Sequence, residues 1–103
     1  MAGFLQIIEY RTSKPDEISA LMEDFRAKRE AGGEGPSPVR AVTGADRDEP
    51  GRYFAIVEFA SYDEAMENSN RADTNEFAEK MMALCDGPAK YYNLDQVDLQ
   101  DYR

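Results

Sequence analysis

The sequence predicts an α+β domain: one four-stranded antiparallel sheet with helices on a single face. Three observations point there. The stretch Gly51-Arg52-Tyr53-Phe54-Ala55-Ile56-Val57-Glu58-Phe59-Ala60 is rich in aromatic and β-branched residues and reads as a central β-strand. Both of its faces are largely apolar, Tyr53, Ala55, Val57 and Phe59 on one and Phe54 and Ile56 on the other, so both need cover. The remaining segments fall in the order β-α-β-β-α-β, and 103 residues is a single-domain length, so residues 1–103 are read as one domain.

The first strand is Phe4 to Arg11, again with apolar residues on both parities. Ser13-Lys14-Pro15-Asp16 has the chemistry of a helix start, with Ser13 as the expected cap and acids at the positive end. Ile18, Leu21, Met22 and Phe25 then recur at helical spacing. Gly32 to Pro38 ends that helix in a Gly/Pro loop. Val39 to Thr43 is a short second strand, and the turn-rich run Gly44 to Gly51 makes it a hairpin with the central strand.

After the central strand, Ser61-Tyr62-Asp63-Glu64 is a capping-box pattern opening a short helix. Asn68-Ser69-Asn70-Arg71-Ala72 breaks the period. A second helix follows from Asp73, with Phe77, Ala78, Met81, Leu84 and Cys85 as its apolar stripe and Asp86-Gly87-Pro88 as its stop. Ala89 to Leu99 reads as the last strand. This order is that of the ferredoxin-like split βαβ unit, with both helical regions on one face.

An open apolar sheet face of that size exceeds what monomers usually tolerate. Covering roughly 700 Å² per partner at about 25 cal/mol per Å² is worth on the order of 15 kcal/mol per partner before association costs. The expectation is therefore a homodimer, sheet against sheet, about a two-fold axis.

Composition excludes several classes. With 12 basic and 21 acidic residues the net charge is -9, which repels phosphate backbones and anionic lipid; nucleic acid and membrane are not expected partners. No run of 18 apolar residues offers a membrane span, and the first residues lack the pattern of a signal peptide, so the cytoplasm is the expected location. The single cysteine, Cys85, has no internal disulfide partner. There is no histidine, which removes Ser-His-Asp and Cys-His catalysis, His-ligated zinc and a proximal-histidine haem site. Neither a metal nor a cofactor is expected, and acid–base work falls to carboxylates, Tyr, Lys or the substrate itself.

Taken together, the strand Tyr53 to Phe59, the helix start Ser61 to Ala65, the broken middle, and Phe77-Ala78 through Leu84 with a glycine stop resemble the dimeric α/β-barrel superfamily, and within it the antibiotic biosynthesis monooxygenase-like group. The resemblance implies a pocket between sheet and helices in each subunit of a dimeric α/β barrel. It also implies a cofactor-independent monooxygenase that binds a small, largely apolar, aromatic or polyketide-like molecule. The alternative is a non-enzymatic ligand-binding or assembly domain of the same shape. Some members of the group carry a histidine near the helix break. Here Asn68, Ser69, Asn70 and Arg71 stand there, which argues against haem-linked activity.

Seven residues are candidates for substrate binding; no catalytic residue is assigned. Asn68, Asn70 and Arg71 at the break could line the pocket mouth and orient a polar group, or simply end one helix and begin the next. Tyr91, Tyr92 and Asn93 lie early in the last strand, where alternation sends one tyrosine toward the helices and the other toward the partner. Glu58 could become a base if buried, or pair with Arg11 or Arg40 across strands. Cys85 and Met22, Met66, Met81 and Met82 are read as packing or pocket lining.

Overall fold

A computed structural model describes residues 3–32, 38–100 and 102. The order is β1 (Phe4–Arg11), α1 (Pro15–Gly32), β2 (Arg40–Ala45), β3 (Arg52–Phe59), α2 (Tyr62–Ser69), α3 (Ala72–Ala83) and β4 (Lys90–Asp95). The four strands form one antiparallel sheet in the order β2-β3-β1-β4, the ferredoxin-like arrangement. Most of the Gly/Pro loop, residues 33–37, lies outside the described residues.

Register decides which residues share a face. Phe4 pairs with Phe59 and Tyr10 with Tyr53, so Phe4, Gln6, Ile8 and Tyr10 look the same way as Tyr53, Ala55, Val57 and Phe59. The helices cover this face. Tyr10, Ile18, Ala55 and Met81 form one buried cluster there, with Leu21, Met22, Phe77, Leu84 and Cys85 packed around it. Phe4, Phe59 and Ala65 form a second, flanked by Val57 and Met66. Ile18, Leu21 and Met22 of α1 and Phe77 and Met81 of α3 thus reach the core as their spacing predicts, Leu84 and Cys85 join them from just beyond α3, and Phe25 and Ala78 of the two stripes stay outside the cluster.

The opposite face carries three rows across the sheet. The middle row is Val42, Ile56, Ile7 and Tyr92, with no charged member. On one side lies Arg40, Glu58, Leu5 and Leu94; on the other, Gly44, Phe54, Glu9 and Lys90. Among the described residues no helix packs there. The total accessible surface is 7226 Å², where a compact monomer of this mass exposes about 5,800 Å². The radius of gyration, 14.0 Å, likewise exceeds the roughly 13 Å expected of a compact chain this long.

Local chemistry explains the boundaries. Ser61 caps α2, its side chain accepting from the Glu64 amide at 3.1 Å, as the capping box predicts. Gly87, at φ 122°, sits in the left-handed region after α3, where glycine is preferred. At the start of α1 the described residues show no capping bond from Ser13. Thr12, not Ser13, engages the chain there: its Oγ1 accepts from the Lys14 amide at 2.9 Å and donates to the Leu84 carbonyl at 2.6 Å. Thr12 is buried and Ser13 exposed, and because Lys14 precedes the first helical residue, Pro15, the Thr12 hydroxyl braces the approach to α1 rather than capping it.

Two strand boundaries differ from the sequence reading. β2 runs Arg40–Ala45 rather than Val39–Thr43, because Gly44 and Ala45 still pair with Phe54 and Tyr53. β4 stops at Asp95 rather than Leu99. Its ladder with β1 closes at Gln96, whose amide donates to the Gly3 carbonyl at 2.9 Å.

Ala65 is 1% exposed between Phe4, Phe59 and the sheet, so there is no room for a longer side chain. Ala65→Leu is expected to destabilise by about 1–3 kcal/mol, read as a Tm drop in thermal melts.

Candidate functional site

The helix break is where the sequence-predicted polar residues converge. Ala65 faces inward on α2, and Asn68 follows it by one turn on the same side. The Asn68 Oδ1 is buried and has no hydrogen-bond partner among the described residues. Asn70 closes α2: its amide donates to the Met66 and Glu67 carbonyls at 3.1 and 3.3 Å, while its side chain is exposed. Arg71 precedes α3 and accepts at its carbonyl from the Asn75 amide and from Asn75 Nδ2, both at 3.1 Å.

The break is clasped to α1. Arg29 donates from Nε to Asp73 Oδ2 at 2.9 Å and from a guanidinium NH2 to Thr74 Oγ1 at 2.6 Å. Arg71 Nε reaches the other Asp73 oxygen at 3.0 Å. The Arg29 guanidinium lies 4.9 Å from the Phe25 ring centroid, and Phe25 stacks on Phe77 at 4.5 Å. Asp73 is thus held between two guanidiniums. Its carboxyl lies well below the usual carboxylate range, chiefly through Arg29 and then Arg71. Sequence reasoning missed this clasp. Arg29 and Asp73 stand 44 residues apart and meet where α1 packs on α3, with Phe25 stacked on Phe77.

β4 contributes a polar shelf on the helix side. Tyr91 pairs with Ile8 and Asn93 with Gln6, so both look toward the helices, yet both are exposed. Gln6 Nε2 donates to Asn93 Oδ1 at 3.3 Å. The row across the sheet here is Ala41, Val57, Gln6 and Asn93. The helical cover therefore lies over β1 and β3 and leaves the β4 edge open.

Tyr92 and Glu58 lie on the other face. The Tyr92 hydroxyl donates to Glu9 Oε1 at 3.0 Å. Glu58 accepts from Arg40 at 2.8 and 3.1 Å, the cross-strand ion pair that its position suggests. The seven candidates thus divide. Asn68, Asn70, Arg71, Tyr91 and Asn93 lie on the helical side, and Glu58 and Tyr92 on the face away from it. Alternation along β3 and β4 makes this unavoidable, so within one chain the last two cannot line a site between sheet and helices.

Two further groups lie in the core. Tyr10 stacks on Tyr53 at 5.6 Å, and burial pushes its hydroxyl up, with Cys85 and Tyr53 adding to the shift. Burial, then the Asp86 charge, pushes the Cys85 thiol up as well. Neither is ionised at neutral pH, and Cys85 has none of the electropositive setting of a nucleophile. A separate open cleft lies between α1 and α3. Leu21, Phe25 and Phe77 line it, and the ion pairs Lys28–Asp24 and Lys80–Glu76, each 3.1 Å, stand beside it.

No protein-family model and no curated protein matches this sequence. Solved structures do match. A conserved protein from Methanosarcina mazei Go1 superposes with a TM-score of 0.77 at 9% identity, over 93% of this chain and 94% of that one. A protein provisionally assigned as an antibiotic biosynthesis monooxygenase, from Bordetella bronchiseptica, gives 0.76 at 14% identity, over 94% and 99%. SnoaB, a cofactor-independent oxygenase from Streptomyces nogalater, gives 0.73 at 15%, over 98% and 96%. At such identities the likeness is one of fold. The chain has the fold of antibiotic biosynthesis monooxygenase-like proteins, as its sequence pattern suggests.

The clasp has a pH signature. A carboxyl whose folded pKa is depressed adds stability above its unfolded value and loses it as pH falls toward the folded one. Asp73→Asn is expected to lower Tm by roughly 2–5 °C at pH 7, since solvent screens a half-exposed carboxylate. As pH falls below the ordinary carboxylate range toward the depressed value, the gap between the two melting curves should narrow. Parallel thermal melts from pH 7 down to pH 2 check both the drop and the narrowing.

Proposed function

We propose that this chain binds a small, largely apolar aromatic or polyketide-like molecule on the helical side of its sheet and oxygenates it without a cofactor. The observation that carries the reading is the Asn68 Oδ1, a buried acceptor with nothing to accept from. Leaving such an atom unpaired costs about 1–3 kcal/mol. A protein keeps that cost where a ligand supplies the missing donor. A phenolic hydroxyl is such a donor. The fold shared with a cofactor-independent oxygenase makes the same suggestion independently.

In this reading Asn68 orients the substrate hydroxyl, and the Gln6–Asn93 amide pair and Tyr91 offer further polar contacts at the β4 edge. The substrate supplies all four electrons. An activated ring CH2 loses its two hydrogens, one atom of O2 becomes the ketone oxygen, and the other leaves as water. The protein contributes orientation and exclusion of bulk water. Asn70 and Arg71 act at the mouth of the site: Asn70 is exposed there, and the Arg71 guanidinium is steered by Asp73.

The molecule acts as a homodimer in this account. Two copies bury the Val42, Ile56, Ile7 and Tyr92 rows against each other, which removes the excess apolar surface of one chain. Glu58 and Tyr92 then belong to the interface between the copies. A second reading, a non-enzymatic binding or assembly domain, is favoured by the filling of the helix-side core. Tyr10, Phe4, Ile18 and Phe59 occupy it and are nearly inaccessible.

Oxygen uptake with hydroxylated anthrones and naphthols separates the two. The oxygenase reading expects uptake, with one atom of labelled O2 in the ketone. Asn68→Leu should lower kcat/KM by roughly 5- to 150-fold, the equivalent of one buried hydrogen bond, and leave Tm unchanged or higher. Absence of uptake across the panel, with the ligands still quenching tyrosine fluorescence, would leave the binding domain as the function.

A further inference from the structure

The turn that joins α3 to β4 holds the one Asp or Asn in the chain that a glycine follows, Asp86-Gly87. Both residues are exposed and lie outside every helix and strand. The Asp86 carboxylate makes no hydrogen bond or ion pair among the described residues, and the Gly87 amide donates to nothing there. Gly87 has φ 122°, and even a Cβ on it would meet nothing within 4 Å, so the space around its amide is open.

An aspartyl side chain beside a free, unhindered amide can close on it into a five-membered ring. Other junctions of this kind are protected by the fold. Asn68-Ser69 and Asn75-Glu76 lie inside helices, where the following amide is committed to the helical ladder. After Asn70 the Arg71 amide donates to the Asn68 carbonyl at 3.2 Å, and after Asp95 the Gln96 amide donates to the Gly3 carbonyl at 2.9 Å. In each of these the following residue also carries a side chain that crowds the approach. Residues 86–87 alone combine a free carboxyl, a free amide and no side chain between them.

We infer that Asp86 is a site of spontaneous conversion to isoaspartate in the folded protein. The Gly87 nitrogen attacks the Asp86 Cγ. An N–Cγ bond forms, the Cγ–OH bond breaks, and the hydroxyl leaves with the amide proton as water. Water then reopens the succinimide. Cleavage between nitrogen and Cγ restores aspartate. Cleavage between nitrogen and the main-chain carbonyl carbon gives isoaspartate, whose backbone runs through Cβ and Cγ and whose α-carboxylate is free. No electron is transferred, and water is the only co-reactant. A methyltransferase directed at isoaspartate esterifies that α-carboxylate from S-adenosylmethionine, so this class of enzyme is the partner the site would take. The added backbone carbon enters between two anchored points. The Asp86 amide donates to the Arg11 carbonyl at 2.7 Å, and Ala89 packs on the buried cluster of Tyr10 and Met81. The conversion therefore bears on the entry to β4, where Lys90 pairs with Glu9, and on Tyr91 and Asn93 beyond it.

Three samples test the site: the full natural chain and the full-length Asp86→Glu variant, both held warm at pH 6 for several weeks, and the natural chain held likewise in urea. Circular dichroism confirms that the first two are folded. Methyl groups accepted from labelled S-adenosylmethionine, with an isoaspartyl methyltransferase as the probe, count the product. Mass spectrometry with electron-based fragmentation of the tryptic peptide 81–90 places it. The expected result is at least tenfold more methyl acceptance in the folded natural chain than in Asp86→Glu, mapped to Asp86, with a transient form of the same peptide lighter by one water. Equal acceptance by the two chains, or acceptance mapped to another residue, would overturn the site. Product that forms in urea and not in the folded chain would overturn it too, since the fold would then protect the turn.

Discussion

The architecture depends on one mismatch: β1 and β3 are apolar on both sides, and the chain has helices enough for one. Everything on the helical face answers to that. Ile18, Ala65 and Met81 are the inward residues of three separate helices, each seated over the central pair of strands. Everything on the other face is left unanswered by the chain itself. The row Val42, Ile56, Ile7 and Tyr92 runs across all four strands with charges only in the rows on either side. A slip of one residue in register would exchange the two faces, so the pairing of Phe4 with Phe59 carries as much weight as any single contact.

The helix break shows how a fold can afford a polar group that its own packing does not satisfy. The clasp of Arg29, Asp73 and Arg71 fixes the start of α3 against α1, with Phe25 and Phe77 stacked beneath it. Beside that junction α2 presents the Asn68 oxygen inward, buried and unpaired among the described residues. Stability would favour an apolar residue at this position, so the retained amide is where the oxygenase reading and the packing disagree most usefully.

Much of the fold was legible because its signals are local. β1 occupies Phe4–Arg11 as read, the Ser61–Glu64 cap is made, and Gly87 takes a positive φ in the turn beyond α3. What failed were boundaries and contacts set by distant partners. β4 shortens because its ladder with β1 is exhausted at Gln96, and β2 extends because β3 continues to pair with Gly44 and Ala45. The entry to α1 is braced by Thr12 rather than capped by Ser13, through a bond to the Leu84 carbonyl, 72 residues away. The site was half legible. The break was located by loss of period, and the division of Tyr91 from Tyr92 followed from alternation. That Asn68 alone among the break residues has a buried, unpaired oxygen depends on how α2 sits on the sheet, and nothing local records it.

A single charge in the middle of the bare face tests the founding mismatch most directly. Ile56 stands between Val42 and Ile7 and is accessible in the lone chain, so an arginine there can extend into water without disturbing the fold. Light scattering at micromolar concentration should give twice 11.6 kDa for the natural chain and 11.6 kDa for Ile56→Arg, with identical circular dichroism. A natural chain that scatters as one copy, or a variant that remains paired, would contradict the account.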